Sequence, residues 1–551
     1  MNSTRNIGYV CGAGAAKAGQ FAESVLASSI KKGVALDSAT GSDVASEMQS
    51  RSGELPEGMA KIFDSVSSDD QGRVLAALSS GLHEYQSQHG VNVPPDVVHQ
   101  ALHNGAAALD SATSSSEHSN NRSLNPDPVI VAIHSTLVAA IPFAHYAPAN
   151  KSGEAKIGIL RHVAGSDAGM YRAGDSIDGV AGGEAYLTQT RAHKVVTSTD
   201  GSNSVASGKI TMLMTDRDTC DQSAAGVKVR RGRAEVFYQG VPVAQEVSAE
   251  GVSDSVISGR FTVGAQVVTL SGSINPDNGE FALSISPTVA DGTELLVETQ
   301  IDVEADETLI PLIGTEVSVK SLYAASWTAR ARTTKDSQNQ MQNELNVDPI
   351  QASTLAINAQ LANERHHLLL QKAIRLAKAT NREFDLDYEA RKANMTIKDM
   401  WRDLMPVLAA CTQTTSEATN SSGMHYVYIG PKMLPFFRGL PSDLFQFSGL
   451  TQQPGIHRIG RLSNGMEVYY TPKGLSETNT AAELLVLSRS NEVARSAFVL
   501  GDVNSPVMEE TAKGASLAAG VAMHCNNYTT LNPHRETLNA AIMVNIINMP
   551  Q

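Results

Sequence analysis

The chain has 551 residues, 42% of them apolar, so it is long enough for two to four structural units and too apolar to be globally disordered. Lys and Arg total 43 against 57 Asp and Glu, a net charge of −14, which argues against a general phosphate-gripping surface for nucleic acid or anionic membrane. Only 18% of residues are charged and 43 are Gly, so the expected surface is polar but weakly charged and suits packing against other proteins.

Four cysteines, Cys11, Cys220, Cys411 and Cys525, lie far apart without a CxxC pair, which excludes a disulfide scaffold and disfavours a zinc knuckle. Residues 1–6 lack the apolar core of a signal peptide, and the stretch from Val129 to Ala144 is too short to span a bilayer. The expectation is a soluble protein with reduced thiols.

Residues 1–110 read as short helices broken by Gly, Ser and Pro. Val74, Leu75, Leu78 and Leu82 keep helical spacing behind Asp69 and Asp70, and Pro94-Pro95 opens a helix carrying Val97, Val98 and Leu102. Asp110 to Pro128 is nearly free of apolar residues and reads as a flexible linker. Val129 to Ile133 fits either a buried strand or the start of a helix. From there to about Leu322 the texture is β. Val267–Leu270, Phe281–Ile285 and Glu294–Thr299 are strand-like, the first two joined by a turn at Asn275–Gly279, within an antiparallel unit of three to six strands.

Asp348-Pro349 announces the strongest helix. Asp348 can cap it and Pro349 fits its first position; Leu355, Ala359, Ala362, Leu369, Ala373 and Leu376 define its apolar face. From Ile350 to Ala379 it would span about 45 Å. A shorter helix starts at Thr396 with Asp399 as capping partner, carries Met400, Leu404 and Leu408 on one face, and is kinked or divided at Pro406. Later strands are His425–Ile429, Met466–Tyr470 after the Ser463-Asn464-Gly465 turn, Leu484–Leu487 and Ala541–Ile546. No repeat of 20–50 residues is visible.

Chemistry-bearing motifs are sparse. Gly8 to Lys17 (GYVCGAGAAK) approximates a dinucleotide fingerprint with Asp37 as a ribose ligand, but Lys17 stands where the third glycine belongs. His366-His367 point about 100° apart on a helix and cannot readily share one metal. Lys228, Arg230, Arg231 and Arg233, with Phe237 and Tyr238 nearby, form the densest basic cluster; the charge balance favours an acidic patch on a neighbouring subunit over nucleic acid. No nucleophile elbow, Walker loop or paired carboxylate occurs. The expected catalytic, cofactor-binding and metal residues are none, and no cofactor is expected.

The order of elements resembles the major capsid proteins of tailed bacteriophages with the Hong Kong 97-like fold, and more narrowly the T-even-type myovirus head proteins. Asp127–Ile130 through His145–Pro148 resembles the strand and turn entering the family's extended loop. Gly272–Phe281 with Val297-Glu298 is similar to a hairpin decorating that loop, Leu322–Arg332 to the returning strand, and Ile350–Ala379 to the spine helix. His425–Arg438 and Gly460–Tyr469 resemble pieces of the axial domain, and Asn532-Pro533-His534 the return to the peripheral domain.

The resemblance implies an α+β Hong Kong 97-like capsid fold with spine helix, extended β loop with β insertion, axial domain and helical N-terminal region. It divides the chain into an N-terminal region 1–125, peripheral-domain parts 126–150 and 323–424, an extended loop 151–322, an axial domain 425–535 and a return strand 536–551. It implies a non-enzymatic structural subunit that self-assembles into hexamers and pentamers around double-stranded DNA, without sequence-specific binding. Vertex, portal and decoration proteins would be partners, the virion its location, and the host bacterial cytoplasm the place of assembly. A prohead-protease site is expected near Leu55-Pro56-Glu57. A vertex protein or nanocompartment shell of the same fold, an enzyme with an N-terminal nucleotide domain, and a β-rich adhesin or tail component remain open alternatives.

Overall fold

The computed structural model describes residues 10–32, 43–44, 55–114, 127–147, 153–200, 202–219, 224–247, 255–345, 349–421, 423–450, 454–503, 507–511 and 519–550. They form a mixed helix-and-sheet structure in two compact units: unit 1 comprises 1–158 and 319–551, and unit 2 comprises 159–318.

Unit 1 begins with helices α1 (Val10–Lys32), α2 (Glu57–Ser65), α3 (Ser68–His89), α4 (Pro95–Ser114) and α5 (Asp127–Val138). The Gly12–Lys17 stretch is helical, so its glycines do not form a strand-to-helix phosphate turn; Asp37 lies outside the described residues. The small residues instead permit close helix packing: a Cβ at Gly14 would lie 3.1 Å from the His99 ring, and one at Gly19 would lie 2.9 Å from Pro95 Cγ. Ala18, Phe21, Ala22, Val25 and Leu26, at one helical face, are buried in the core. Ser67 caps α3 by accepting from the Asp70 N–H, and Val74, Leu75, Leu78 and Leu82 are fully buried, as the spacing predicts.

Two expectations change here. The segment read as a linker is helical through Ser114 and again from Asp127, with residues 115–126 outside the described set. The ambiguous Val129–Ile133 stretch is helix α5, not the strand that the capsid resemblance implied. Val129, Ala132, Ile133, Thr136 and Leu137 are buried at helical spacing, and the leading Asp-Pro pair suits a helix start.

After β1 (His145–Tyr146), the chain leaves unit 1 along β2 (Glu154–Ala164). Unit 2 contains β3 (Thr190–Val196), β4 (Ser198–Thr199), β5 (Ser204–Lys209), β6 (Thr215–Thr219), β7 (Glu235–Tyr238), β8 (Val241–Val247), β9 (Ser255–Val263), β10 (Gln266–Ile274), β11 (Glu280–Ser286) and β12 (Glu294–Gln300). They form one ten-stranded sheet in the order β4-β5-β11-β10-β9-β8-β7-β12-β3-β6, more strands than the sequence patterns mark. The missed strands are polar on alternate positions and rich in Ser, Thr and Gly, which weakens their apolar signature. Ile257, Phe261, Val268, Leu270, Phe281 and Leu283 fill the core of this unit. Residues 250–295 therefore contain central strands of this sheet.

The chain returns along β13 (Ile313–Tyr323), which pairs with β2. Then follow β14 (Ala325–Thr333), α6 (Lys335–Leu345), the long α7 (Pro349–Ala377), β15 (Asn381–Asp385), α8 (Ile397–Arg402), α9 (Leu404–Thr419), β16 (Met424–Ile429) and α10 (Met433–Arg438). The last strands are β17 (Phe445–Phe447), β18 (His457–Leu462), β19 (Glu467–Tyr470), β20 (Ala482–Ser488), β21 (Phe498–Asp502), β22 (Val507–Thr511), β23 (Ala519–Leu531) and β24 (Ala541–Ile547). Thr396 accepts from the Asp399 N–H and donates to its carboxylate, the capping pair expected. The helix divides at Asp403, so Pro406 falls in the first turn of α9, where proline is tolerated. The Asp348 cap lies outside the described residues.

A seven-stranded sheet, ordered β15-β24-β20-β16-β19-β18-β17, is covered on both faces. Leu485, Leu487 and Met543 face the N-terminal helices and α7, whereas Leu484, Val486 and Val544 face the core of α8, α9 and α10. Double coverage explains the continuous apolar run Leu484–Leu487. A second sheet in unit 1 runs β1-β21-β23-β14, with β22 also on β23.

Candidate assembly surface

Strand β14 ends its sheet, so one of its edges is unpaired among the described residues. Trp327, Ala329 and Ala331 are half-buried on one face; Ser326, Thr328, Arg330 and Arg332 are exposed on the other. Two arginines on an edge strand discourage indiscriminate pairing with other strands. Trp327 and Ala329 pack toward Ile357, Leu361, Met523 and Cys525. Beside them, Trp327, Ile357, Leu361, Glu364 and Met523 line an open groove of about 700 Å³ between β14 and α7.

The surroundings are unusually bare. From Ile313 to Gln360, only two of the residues whose burial is described are buried.

 Leu322 and Pro349 are thus the two buried residues described across β13, β14, α6 and the first half of α7. Val319 is 56% exposed, Tyr323 72% and Leu355 71%. The apolar face assigned to the long helix is therefore corrected. Leu355 and Ala359 point to solvent, whereas Leu361, Arg365, Leu369, Leu370, Ala373 and Ala377 make the buried face in the second half. Leu369 and Ala373 sit where the spacing places them.

Behind this surface, unit 1 is tied by buried charges. The Arg365 guanidinium on α7 lies 3.1 Å from the Asp502 carboxylate on β21. Asn104 on α4 donates to Asp502 at 3.1 Å and to Thr136 on α5 at 3.0 Å. A second group joins Asp96 on α4, Arg489 at 2.8 Å and His145 at 3.2 Å, and Asp96 also accepts from the Tyr146 N–H. Burial alone would raise the Asp96 pKa, but Arg489, His145 and the Tyr146 N–H together hold it well below the ordinary carboxylate range. Both groups are largely buried and fasten helices to sheets.

The residues singled out for chemistry are dispersed. His366 points at Tyr428, 3.1 Å away, while half-buried His367 makes no shared site with it. No group of three or more His, Cys, Asp or Glu among the described residues is placed to hold a metal ion. Cys411 and Cys525 are buried free thiols. In unit 2, Arg230 is engaged by Asp302 at 3.7 Å and Glu304 at 2.9 Å, and Lys228, Arg231 and Arg233 are exposed. Phe237 and Tyr238 are half-buried, and Tyr238 packs on Phe261. Leu55 packs against the unit 1 core, and Pro56 is buried at the start of α2. The bare surface on β14 and α7 was not legible as a site, because its residues are ordinary ones that become unusual only when left uncovered.

No protein-family model and no curated protein matches the chain. Solved structures do. The chain is similar to one in the icosahedrally averaged capsid of jumbo bacteriophage PhiKZ, at 10% identity and TM-score 0.36, over 73% of this chain and 91% of that one. It is also similar to a chain of the acid-stable capsid of Helicobacter pylori bacteriophage KHP30, at 8% identity and TM-score 0.29, over 58% and 86%. A third match is the SrpI encapsulin complex of Synechococcus elongatus PCC 7942, at 10% identity and TM-score 0.27, over 43% and 78%. These matches are capsid and encapsulin chains. No helix among the described residues is long and apolar enough to cross a membrane.

Proposed function

We propose that this chain is a structural shell subunit of the capsid type, which assembles with copies of itself into hexamers and pentamers enclosing double-stranded DNA. The observation that carries the reading is the bare run from Ile313 to Gln360. An eleven-residue polar helix and two long strands gain little from burial here, and short helices in water are marginal without tertiary packing. Exposed Val319, Tyr323 and Leu355 mark the same run as surface that another chain covers. A second copy supplies that cover without a further gene product, and contacts between unlike patches of identical chains close into rings.

The net charge of −14 suits a container, since a basic inner wall would grip packaged phosphate. On this reading the protein is a virion component assembled in the host bacterial cytoplasm, performs no catalysis, and meets vertex, portal and decoration proteins at its periphery. The expected prohead-protease site at Leu55–Glu57 belongs to the same proposal. The direct test is electron microscopy of the purified protein and of the double variant Tyr323→Lys/Leu355→Lys. Closed shells from the parent and monodisperse folded subunits from the variant are expected. A parent that stays monomeric at high concentration, or a variant that assembles as well as the parent, would overturn the proposal.

A further inference from the structure

We propose that unit 1 contains an acid-release clasp, in which His89 of α3 and His366 of α7 hold the phenols of Tyr469 and Tyr428 and protonation of both imidazoles opens the packing of these helices on β16 and β19. The proposal concerns the fold of unit 1 and does not rest on the shell reading.

The geometry brings four side chains from distant parts of the sequence together. His89 Nδ1 lies 3.2 Å from the Tyr469 hydroxyl, and His366 Nε2 lies 3.1 Å from the Tyr428 hydroxyl. Tyr428 and Tyr469 are register partners on the parallel strands β16 and β19, and their rings stack 5.3 Å apart at 21°. Each neutral imidazole can exchange one hydrogen bond with its phenol.

The groups facing the imidazoles give an added proton no counter-charge. His89 meets Tyr85 from its own helix, with ring centres 4.3 Å apart, Tyr469 from β19, and the positive charge of Arg458 from β18. His366 meets Phe143 after α5, Tyr428 from β16, His367 on its own helix and His89 from α3. The nearby carboxylates are already engaged: Glu467 with Arg458 at 2.5 Å, and Asp96 with Arg489 and His145. An imidazolium at either place would be enclosed by aromatic rings and other cations.

Burial lowers both histidines from 6.5 to about 3; Arg458 lowers His89 further, and His89 and His367 do the same for His366. In an opened form each returns toward its ordinary value. Between pH 6.5 and about 3 the opened form therefore binds one more proton per imidazole than the closed form. The opening constant should rise about 10-fold per pH unit for each histidine, and about 100-fold for the pair. Above pH 6.5 the clasp is closed without this penalty. His99, His367 and His425 are also lowered by burial and add their own proton uptake, so the test must isolate the two invoked here.

Hydrogen–deuterium exchange of the full-length chain from pH 7.5 to 4.5, corrected for intrinsic exchange, measures the opening of α3, β16 and β19. Below pH 6.5 the parent should open with the steep dependence just given. His89→Gln/His366→Gln retains hydrogen-bonding groups that do not titrate, and it should lose about 100-fold per pH unit of that dependence. Each single variant should lose about 10-fold, which decides the matter should the double variant fail to fold. A pH-independent parent, or variants with the parent's dependence, would refute the clasp.

Discussion

Arg365 and Asp502 form the ion pair on which the interior of unit 1 turns, because Asn104 and Thr136 join the same group from α4 and α5. Removing one charge leaves the other buried without a partner. Asp502→Leu should therefore destabilise unit 1 by about 3–5 kcal/mol, whereas Arg365→Met/Asp502→Leu should cost less than that single change. The two tryptophans, Trp327 and Trp401, both lie in unit 1, so denaturant unfolding followed by their fluorescence reports this unit. A double variant less stable than Asp502→Leu would contradict the pairing. None of this was legible in the sequence. Asn104 and Asp502 stand 398 positions apart, and neither carries a local signal of burial or charge pairing.

Helix α7 shows what periodicity can and cannot say about an element. Its position, approximate length and the burial of Leu369 and Ala373 follow from spacing and from the Asp-Pro start. The exposure of Leu355 does not, since spacing identifies an apolar face without saying whether anything buries it. Leu369→Asp should cost more than about 4 kcal/mol and prevent folding, because an unpaired carboxylate would enter the core. Leu355→Asp should leave the stability of the isolated subunit within about 0.5 kcal/mol and lower the yield of shells. Thermal unfolding and particle yield check the pair; a severe folding defect in Leu355→Asp would contradict the exposed placement. The same limit governed Val129–Ile133, where a short apolar run fits strand or helix and tertiary packing chose the helix. Strands such as Leu484–Leu487 were legible because burial on both faces leaves a dense apolar run.

For the whole molecule, the division into two units makes a deletion experiment sharp. Unit 2 has its own core, and β2 and β13, which carry the chain out and back, pair with each other. Joining residue 158 to 319 through a short Gly/Ser turn therefore asks little of unit 1: closing a short loop costs only a small loop entropy, and removing the insert opens no hole in the seven-stranded sheet. The shortened chain should fold, with the tryptophan emission of the parent and unit 1 stability within about 1 kcal/mol of it. Deleting only 250–295 should do the opposite. It removes β9, β10 and β11 from between β5 and β8, takes away Phe261, Leu270 and Phe281, and leaves Val236, Ala244 and Val297 facing water. Unit 2 should then lose its cooperative transition and bind hydrophobic dyes, while unit 1 persists. Circular dichroism with dye binding separates the two outcomes. A folded unit 2 after the internal deletion, or a collapsed unit 1 after the clean excision, would mean that stability is shared across the chain and not held within each unit.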